Sequence, residues 1–437
     1  MVQFFKVKKP AAPVQTPLDI RILELNSHGM GVARHQGKPL FVAGVLPGEE
    51  VRVKLTTQTS RYATATLQKV LKASPDRIKP FCAHVADCGG CNLQQLPLEA
   101  QRTLKQKAVF SLFGRHGVNE LPEPEWLQGE GQGYRRVARL AIRRRGKGVA
   151  LGFRRSQSHE LAEIEHCGVL TPVLSALIAP LRQLLNRLTA LRQLGHLELY
   201  DSAEGVALLL RHKGHLPAPD LDALLAFAQA RTLALFLQDD TARRPLHVPF
   251  PLYYQIDNLR LSFTPGDFIQ INAALNERMV RQAIDWLAPD PGAPVLDLFC
   301  GIGNFSLPLA AAGHPVTGVE GVMEMVEQAR GNAEDNRLNQ ARFYRADLAT
   351  DFTQEPWVAQ GFGHVLIDPG RAGAERVMPY LAELAPERLL YVSCNPATLA
   401  RDSEVLLAAG YRLSRLGLID MFPHTPHCEA MALFELS

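Results

Sequence analysis

Residues 295–305 read Val-Leu-Asp-Leu-Phe-Cys-Gly-Ile-Gly-Asn-Phe. The first four are an apolar run typical of a buried strand, and the two glycines that follow allow a tight turn and a close approach of the backbone to a ligand. Glu320 ends the next predicted strand, where an acidic side chain accepts hydrogen bonds from ribose hydroxyls. Ser306 stands where a dinucleotide-binding motif has its third glycine. The pattern therefore favours a nucleoside ligand without pyrophosphate over a plain turn, and S-adenosylmethionine fits.

Apolar runs alternate with helical periodicity from about residue 258 onward. Strands are predicted at Val295–Leu298, Val316–Glu320, Arg342–Tyr344, His364–Asp368, Leu389–Cys394, Leu413–Asp420 and Ala430–Phe434. Helices are predicted at Ala273–Leu287, Ser306–Ala312, Val322–Asn332, Ala374–Glu383 and Pro396–Ala409. This alternation indicates an α/β fold with a Rossmann-like, doubly wound and mostly parallel sheet. Because no helix separates the last two strands, we expect them to form an antiparallel hairpin at the sheet edge.

The sequence upstream of residue 258 has a different character. Residues 15–73 carry short alternating runs broken by glycine and proline turns, which predict a small β-barrel within residues 1–74. Residues 75–257 contain a cysteine-rich segment and a mixture of strands and helices, with helices predicted at 97–114, 173–194 and 221–231. We therefore expect three domains: the barrel, a central α+β domain, and the parallel sheet of residues 258–437.

The composition is that of an ordinary globular protein, with 46% hydrophobic and 21% charged residues. No run approaches the roughly 18 apolar residues of a membrane span, and the first ten residues lack the apolar core of a signal peptide. We therefore expect a cytoplasmic protein that does not contact a membrane, and we take it to be a monomer. Seven cysteines in a reducing compartment suggest metal ligands or catalysts rather than disulfides.

Positive charge is concentrated in two regions. Residues 1–80 hold 13 Lys and Arg against 5 Asp and Glu, although the whole chain has a net charge of only +3. A second basic run extends from Tyr134 to Arg155 without an acidic residue. Such a run can be a solvated face, but two separate basic regions favour a nucleic-acid partner.

Cys394 lies in Leu389-Leu-Tyr-Val-Ser-Cys-Asn-Pro396, an apolar run that ends in a thiol and an Asn-Pro turn. The thiol is thus expected at the carboxyl end of a strand, where open α/β sheets bind their ligands. A single cysteine is more often a small core residue. The glycine-rich stretch at 295–305 favours the other interpretation, a nucleophile beside a nucleotide-type pocket.

Two aspartates also follow predicted strands. Asp368 lies in His364-Val-Leu-Ile-Asp-Pro-Gly-Arg-Ala-Gly373, where a carboxylate would stand at the mouth of the pocket or, alternatively, cap a helix. Asp347 follows the third strand and could hold the adenine amine of the ligand.

Cys82, Cys88 and Cys91 lie within ten residues of one another, and Cys167 is the only other cysteine of the central region. Three thiols so close together in a reducing compartment predict a metal site. Four thiolates suit either zinc or an iron–sulfur cluster. A zinc ribbon would have two Cys-x2-Cys pairs where this chain has one, which favours the cluster.

Taken together, these motifs resemble the bacterial uracil-C5 RNA methyltransferases, and within them the iron–sulfur enzymes that act on 23S ribosomal RNA. The resemblance covers almost the whole chain. The segments that carry it are the basic barrel, which looks like a TRAM domain, the four cysteines, Gly133-Tyr-Arg-Arg136, Asp267-Phe-Ile-Gln-Ile-Asn272, Asp297-Leu-Phe-Cys-Gly301, Ser393-Cys-Asn-Pro396 and Asp420-Met-Phe-Pro-His-Thr-Pro-His-Cys-Glu429.

The resemblance implies S-adenosylmethionine as methyl donor, 23S ribosomal RNA as substrate, and a 4Fe-4S cluster on Cys82, Cys88, Cys91 and Cys167. It makes Cys394 the nucleophile that adds to uracil carbon 6, and Glu429 the base that precedes elimination. The implied contacts with S-adenosylmethionine come from Gln270, Phe299, Asn304, Glu320, Asp347 and Asp368.

Three other interpretations stay open at this point. The target could be a different uridine, in ribosomal or transfer RNA. The Asp-Pro after the fourth strand loosely resembles enzymes that methylate exocyclic amines, for which Cys394 would be dispensable. A third possibility is an RNA-binding protein with a structural metal and no catalytic activity.

Overall fold

The computed structural model describes residues 17–146, 148–156, 158 and 160–437. The chain divides into two compact units. Unit 1 contains the chain up to residue 108 together with residues 423–427, and unit 2 contains residues 109–422 and 428–437. The domain boundaries expected after residues 74 and 257 remain predictions, and positions 1–16 of the expected barrel lie outside the described residues.

Unit 1 contains a six-stranded sheet in the order β1-β5-β6-β4-β3-β2. The strands are β1 (Leu18–Arg21), β2 (Glu24–Leu25), β3 (Gly31–His35), β4 (Lys38–Val42), β5 (Glu50–Gln58) and β6 (Ala63–Lys72). Alternate residues of β5 are buried and exposed, and Val51, Val53 and Leu55 pack into one apolar core. Between β1 and β2, Leu23 donates its backbone N–H to the Val32 carbonyl of β3 at 2.8 Å, which extends the pairing of β2 with β3.

The segment after the sheet is fixed by polar contacts within unit 1. Glu49 is fully buried, and its carboxylate accepts hydrogen bonds from Arg77 Nη2 at 2.8 Å and the Leu46 amide at 2.8 Å. The Arg77 guanidinium and the backbone amides of Leu46 and Ser74 hold the pKa of Glu49 below its usual value despite burial. Helix α1 (Leu98–Arg115) follows the cysteine-rich segment.

Unit 2 begins with a seven-stranded sheet in the order β10-β9-β8-β11-β12-β13-β14. In chain order the elements are β7 (Glu125–Leu127), β8 (Val137–Arg145), β9 (Gly148–Arg154), β10 (Leu161–Glu163), α2 (Pro172–Leu185), β11 (Leu194–Asp201), β12 (Val206–His212), α3 (Ala218–Ala230), β13 (Ala234–Gln238) and β14 (Arg243–His247). The small hairpin β15 (Tyr253–Ile256) and β16 (Leu259–Ser262) follows. The helix expected to reach residue 194 ends at Leu185, and the side chain of Asn186, the next residue, accepts from the Val149 amide at 2.8 Å.

The rest of unit 2 is an eight-stranded sheet in the order β19-β18-β17-β20-β21-β23-β22-β7. Its further elements are α4 (Ala273–Leu287), β17 (Val295–Leu298), α5 (Ser306–Ala311), β18 (Val316–Glu320), α6 (Met323–Asp335), β19 (Ala341–Arg345), a 3-10 helix (Pro356–Gln360), β20 (His364–Ile367), α7 (Met378–Leu384), β21 (Arg388–Ser393), α8 (Pro396–Ala408), β22 (Tyr411–Ile419) and β23 (Glu429–Leu436). Strands β17 to β21 pair in parallel. The expected α/β fold is thereby confirmed.

The predicted hairpin of β22 and β23 forms, with one addition. β23 pairs antiparallel with both β21 and β22, so the last strand in the chain is an interior strand of the sheet. β7 pairs in parallel with β22 and occupies the edge that the hairpin was expected to form. Three residues from far upstream gave no sequence pattern that identified them as a strand.

Two apolar clusters cover the two faces of this sheet. One includes Met279 and Trp286 of α4, and the other includes Leu399 and Leu406 of α8. Strands buried on both faces read as continuous apolar runs, as β17 and β20 do. Among the described residues, no helix combines the length and apolar character needed to cross a lipid bilayer.

Candidate active site

Asp368, Cys394 and Glu429 come together because three neighbouring strands begin or end at the same edge of the sheet. Asp368 directly follows β20, and Cys394 directly follows β21, its parallel neighbour. Glu429 is the first residue of β23, which pairs antiparallel with β21 so that Ser393 lies opposite Ala430. The carboxyl edge of the parallel strands thus gathers a thiol and two carboxyl groups.

The chain around Cys394 is held in place by local hydrogen bonds. The Ser393 hydroxyl donates to the Asn395 carbonyl at 3.0 Å and accepts from the Asn395 amide at 3.1 Å. Asn395 caps α8 by accepting from the Ala397 amide, and Pro396 occupies the first turn, where its missing N–H is not needed. The half-buried Cys394 is therefore fixed immediately before the N-terminus of a 13-residue helix.

Cys394 is a thiol rather than a thiolate at neutral pH in this environment. Burial, and then the charges of Glu429 and Asp368, raise the pKa of Cys394 to about 11, while Arg371 acts in the opposite direction. The N-terminus of a helix also favours an anion. Formation of a thiolate at Cys394 therefore depends on the positive charge of Arg371 and on the helix N-terminus.

Both carboxyl groups of the site hold their protons more tightly than usual. Burial raises the pKa of Glu429 to about 8, with a further contribution from Asp368. Burial, and then Asp297, raise the pKa of Asp368 to about 7. A carboxyl group that titrates near neutral pH can accept a proton and release it again, as a general base must.

Arg371 is a candidate site residue that the sequence alone did not identify. It lies three residues after Asp368 in the Asp-Pro-Gly-Arg segment, and its positive charge lowers the pKa of both Cys394 and Glu429. Its backbone carbonyl accepts from Asn395 Nδ2 at 3.0 Å, which ties its loop to the Cys394 loop. The sequence signal that could have identified Arg371 is its position three residues after Asp368, the aspartate at the end of a predicted strand.

The glycine-rich turn after β17 leaves room for a ligand. Phe299 and Gly301 both have positive φ angles, 63° and 55°, and a Cβ on Gly301 would have no atom within 4 Å. Glu320 braces this turn from the end of β18, since its carboxylate accepts from the Gly301 amide at 3.3 Å and the Val322 amide at 3.0 Å. The open space beside the Gly301 backbone and the nearby Glu320 carboxylate could accommodate a ribose.

Ser306, at the place of a third glycine, has a structural role. Its hydroxyl donates to the buried carboxylate of Asp297 on β17. Burial raises the pKa of Asp297 to about 7, against the lowering effect of Ser306. The pair connects the strand to the first turn of α5 and so fixes the turn between them.

Asn304 is held by three hydrogen bonds. It exchanges amide hydrogen bonds with Asn276 of α4 at 2.9 and 3.0 Å, and its Oδ1 accepts from the Tyr254 hydroxyl at 2.9 Å. The neighbouring Gln270 is buried, and its carbonyl accepts from Arg136 Nε at 2.7 Å. The sequence identified Asn304 as a candidate site residue, but it did not identify Tyr254 and Asn276, which hold Asn304 in place.

Asp347 and Phe268 are both exposed. Asp347 follows β19, and its carboxylate accepts from the Ala349 amide at 2.9 Å, so the chain is locally stiffened beside it. Phe268 is 67% exposed, which excludes a core role and leaves the ring able to stack on a base.

The cysteine set divides between the two units, with Cys82, Cys88 and Cys91 in unit 1 and Cys167 in unit 2. All four are partly buried. The Gly90 amide donates to Cys88 Sγ at 3.4 Å, a contact that stabilises a thiolate. Over the part of the chain that the structure describes, no three His, Cys, Asp or Glu side chains converge as a metal site. The expected 4Fe-4S cluster therefore remains a prediction, although the chemistry of its donors fits.

Two family models match the chain. Residues 14–67 match the TRAM domain, and residues 224–436 match the tRNA (Uracil-5-)-methyltransferase family. Among solved structures, the chain is similar to the Pyrococcus abyssi tRNA (uracil-54, C5)-methyltransferase in complex with S-adenosyl-L-homocysteine. The TM-score is 0.74 at 25% identity, over 95% of this chain and all of the other.

Curated relatives match over the full length. The chain is 49% identical to the 23S rRNA (uracil(1939)-C(5))-methyltransferase RlmD of Aeromonas salmonicida, with 100% of both sequences covered. It is 50% identical to the protein of the same name from Tolumonas auensis, again with complete coverage. These matches confirm the family that the sequence motifs indicated. The chain belongs to the RlmD family of RNA uracil-C5 methyltransferases.

Proposed function

We propose that this chain methylates carbon 5 of a uridine in 23S ribosomal RNA, with S-adenosylmethionine as donor. The observation that carries the proposal is the meeting of Cys394, Glu429 and Asp368 at one sheet edge beside the glycine-rich turn. Relatives at 49–50% identity are named for uracil 1939 of 23S rRNA, so the same uridine is the proposed target. The solved relative named for a transfer RNA is only 25% identical.

The reaction begins with the nucleophile. Carbon 5 of uracil is a weak nucleophile, and covalent addition divides one difficult step into easier ones. The Cys394 thiolate adds to carbon 6, and the electron pair of the carbon 5–carbon 6 double bond moves toward the carbon 4 carbonyl as an enolate. Carbon 5 is then electron-rich enough to form a bond to a methyl group. Bound S-adenosylmethionine would supply that group as an electrophile, with the sulfur–methyl bond broken and S-adenosylhomocysteine as the leaving group.

The second half of the reaction needs a base. After methylation, carbon 5 carries both a methyl group and a proton. Glu429 accepts this proton, the double bond forms again, and the carbon 6–sulfur bond breaks to return Cys394. The raised pKa of Glu429 makes its carboxylate a stronger base than an exposed glutamate, so proton transfer is easier.

The proposed donor site is formed by Gln270, Phe299, Asn304, Glu320, Asp347 and Asp368. The open space beside Gly301 and the acid at the end of β18 support a nucleoside ligand there. The chain's own contribution is orientation: the Asn276 and Tyr254 hydrogen bonds fix Asn304, and burial keeps water away from Gln270.

Turnover should increase as pH rises from 6 to 9. Glu429 with a pKa of about 8 and Cys394 with a pKa of about 11 must both lose a proton before they act. Replacement of Arg371 by glutamine should move the rising limb to higher pH and slow turnover about tenfold at pH 7.5, one pKa unit of lost thiolate. Arg371→Lys retains the charge and should retain most of the rate. A pH profile identical in all three proteins would contradict this role.

We also propose that Cys82, Cys88, Cys91 and Cys167 hold a 4Fe-4S cluster. The spacing of the thiols and the Gly90 N–H donated to Cys88 Sγ support it, and cluster sulfurs commonly accept such hydrogen bonds. No step of the reaction above passes through the cluster.

Anaerobically purified protein should contain about four iron and four sulfide per chain, as a cysteine-ligated 4Fe-4S cluster requires, and should absorb visible light. Cys88→Ser should lose most of the iron, whereas Cys428→Ser, outside the set, should retain it. Zinc without sulfide would show that the site is a zinc site instead.

The RNA contacts are proposed for three places. The TRAM domain and the basic run of β8 would bind phosphates, and the exposed Phe268 ring would stack on an unpaired base. We propose that the protein acts as a monomer in the cytoplasm, where ribosomal RNA is made available to it.

The proposed function is tested with unmodified 23S RNA that carries tritium at uracil carbon 5. Tritium should be released only when S-adenosylmethionine is present, at one release per methyl group transferred, and the product should map to the proposed uridine. Tritium release from transfer RNA and not from 23S RNA would show that the target uridine lies in transfer RNA. Release from neither RNA would contradict the proposal.

A further inference from the structure

A cleft of about 510 Å³ lies within unit 2, and none of the residues proposed to contact the donor or to react lines it. The motif Gly133–Arg136, the end of β11 and the first residues of α4 form its walls. Backbone hydrogen bonds fix these walls to one another, because the Arg136 amide donates to Ile271 at 2.8 Å and the Asp201 amide donates to Arg136 at 2.8 Å. The shape of the cleft is therefore fixed by backbone hydrogen bonds between its walls.

Two buried donors in this cleft point to a ligand. Among the described residues, Arg136 Nη2 and Asn272 Nδ2 have no hydrogen-bond partner, although their side chains are only 5% and 2% exposed. Each side chain is anchored through another of its polar atoms. Arg136 Nε donates to the Gln270 carbonyl, and Asn272 Oδ1 accepts from the Leu275 amide at 3.3 Å. Buried polar groups in native proteins are almost always satisfied, so a bound molecule is expected to supply two acceptors.

The cleft also contains an acceptor and aromatic rings. The half-buried Asp201 carboxylate lies on its wall, and burial raises the pKa of Asp201 against the opposing effects of Thr171 and Arg136. The Arg136 guanidinium lies over the Tyr254 ring at 4.4 Å, which fixes its plane. Tyr134 is half-buried at the same cleft and offers a ring for stacking.

The donors, the carboxylate and the aromatic rings of the cleft together favour some chemical groups of RNA over others. A phosphate would gain from Arg136 but would face the carboxylates of Asp201 and Glu130, which also line the cleft. A flat base with acceptors on one edge and donors on the next satisfies both kinds of group. Guanine has that pattern: O6 and N7 accept hydrogen bonds, and N1–H with the 2-amino group can donate to a carboxylate. Adenine would place its 6-amino group against the arginine.

We propose that this cleft binds an unpaired guanine base of the RNA substrate, separate from the target uridine. Arg136 Nη2 and Asn272 Nδ2 donate to O6 and N7, and Asp201 accepts from N1–H and the 2-amino group. Unpaired bases that are splayed out and hydrogen-bonded along their edges are how proteins read single-stranded RNA. The inference rests on the proposed function, and it adds sequence selection to it.

The test is a guanosine scan of the RNA. Each guanosine in an RNA fragment around the target uridine is replaced in turn by inosine, which lacks the 2-amino group, and KM is measured by tritium release. We expect one position at which inosine raises KM about tenfold for the wild-type protein. Asp201→Asn should have a raised KM for the unsubstituted RNA and should no longer distinguish guanosine from inosine at that position. Asp222→Asn, an exposed aspartate of α3, is the matched control and should behave as the wild type.

A second variant guards against a folding defect. Asn272→Ser keeps a hydroxyl that can cap α4 but loses the Nδ2 donor, so it should raise KM for RNA and leave the Kd for S-adenosylmethionine, measured by calorimetry, unchanged. A raised Kd for S-adenosylmethionine in either variant would assign the cleft to the donor and overturn the proposal. A wild-type enzyme that is active but insensitive to every inosine would do the same. Absence of wild-type tritium release would instead contradict the proposed function.

Discussion

Replacing Cys394 by alanine is expected to abolish methyl transfer, with a loss of at least about 1,000-fold, equivalent to about 4 kcal/mol in the activation free energy. The loss should be this large because no other thiol is placed to substitute. Cys428, the nearest cysteine in sequence, is buried, and Cys300, in the glycine-rich turn, is buried with a pKa that burial raises. Tritium release from labelled RNA measures the effect.

A covalent trap separates loss of the nucleophile from loss of binding. RNA with 5-fluorouracil at the target cannot lose a proton from carbon 5, so the wild-type protein should remain joined to it and migrate as a complex in denaturing gels. Cys394→Ala should give no such complex while its Kd for S-adenosylmethionine stays unchanged, and Cys394→Ser should behave in the same way because a hydroxyl is a poorer nucleophile. Methyl transfer by Cys394→Ala at the wild-type rate would instead favour methylation of an exocyclic amine.

Replacing Glu429 by glutamine is expected to stop the reaction at a later point. The variant should add Cys394 to the ring and accept the methyl group, but it should release the product at least about 100-fold more slowly, since a general base contributes a factor of 10²–10⁴. A methylated protein–RNA complex with ordinary uracil RNA should therefore accumulate. Glu435→Gln on the same strand, where the carboxylate binds Arg412 near the surface, is the control and should turn over normally.

The same substitution should change stability in the opposite direction from activity. The folded protein keeps a proton on Glu429 up to about pH 8, whereas the ordinary pKa of a glutamate is 4.5. Between these pH values the unfolded chain binds fewer protons than the folded one, so wild-type stability decreases as pH rises. Glutamine cannot ionise, and Glu429→Gln should therefore have the higher Tm at pH 8, with the difference decreasing toward pH 5. A lower Tm for Glu429→Gln than for the wild type at pH 8 would show that burial of the Glu429 carboxylate does not destabilise the folded protein.

Much of the fold could be predicted because the sheet strands are short apolar runs that end in polar residues with chemical roles. Val295–Leu298 and His364–Ile367 are such runs, and the positions after them, together with Cys394 after β21, were expected at a ligand-binding edge. Parallel strands place their carboxyl ends side by side, so sequence order alone brought Asp368 and Cys394 together.

The rest depended on contacts between distant segments, which leave no local pattern. β7 is a strand only because β22 offers it hydrogen-bonding groups. Tyr254 is identified only through Asn304, which lies 50 residues away in the chain. Arg371 lies in an irregular loop, and its effect on the pKa of Cys394 follows from proximity in space. The buried donors Arg136 Nη2 and Asn272 Nδ2 also required the packed structure.

The position of β23 inside the sheet has a consequence for synthesis of the protein. The strand that carries Glu429 is the last of the sheet in chain order, and it fills a gap between two strands made earlier. A nascent chain emerging from the ribosome can fold its N-terminal parts first. Until residues 429–436 have emerged, however, the sheet lacks an interior strand and the site lacks the Glu429 carboxylate. Incomplete polypeptides should therefore be inert toward RNA modification, even while they are still attached to a particle that contains 23S RNA.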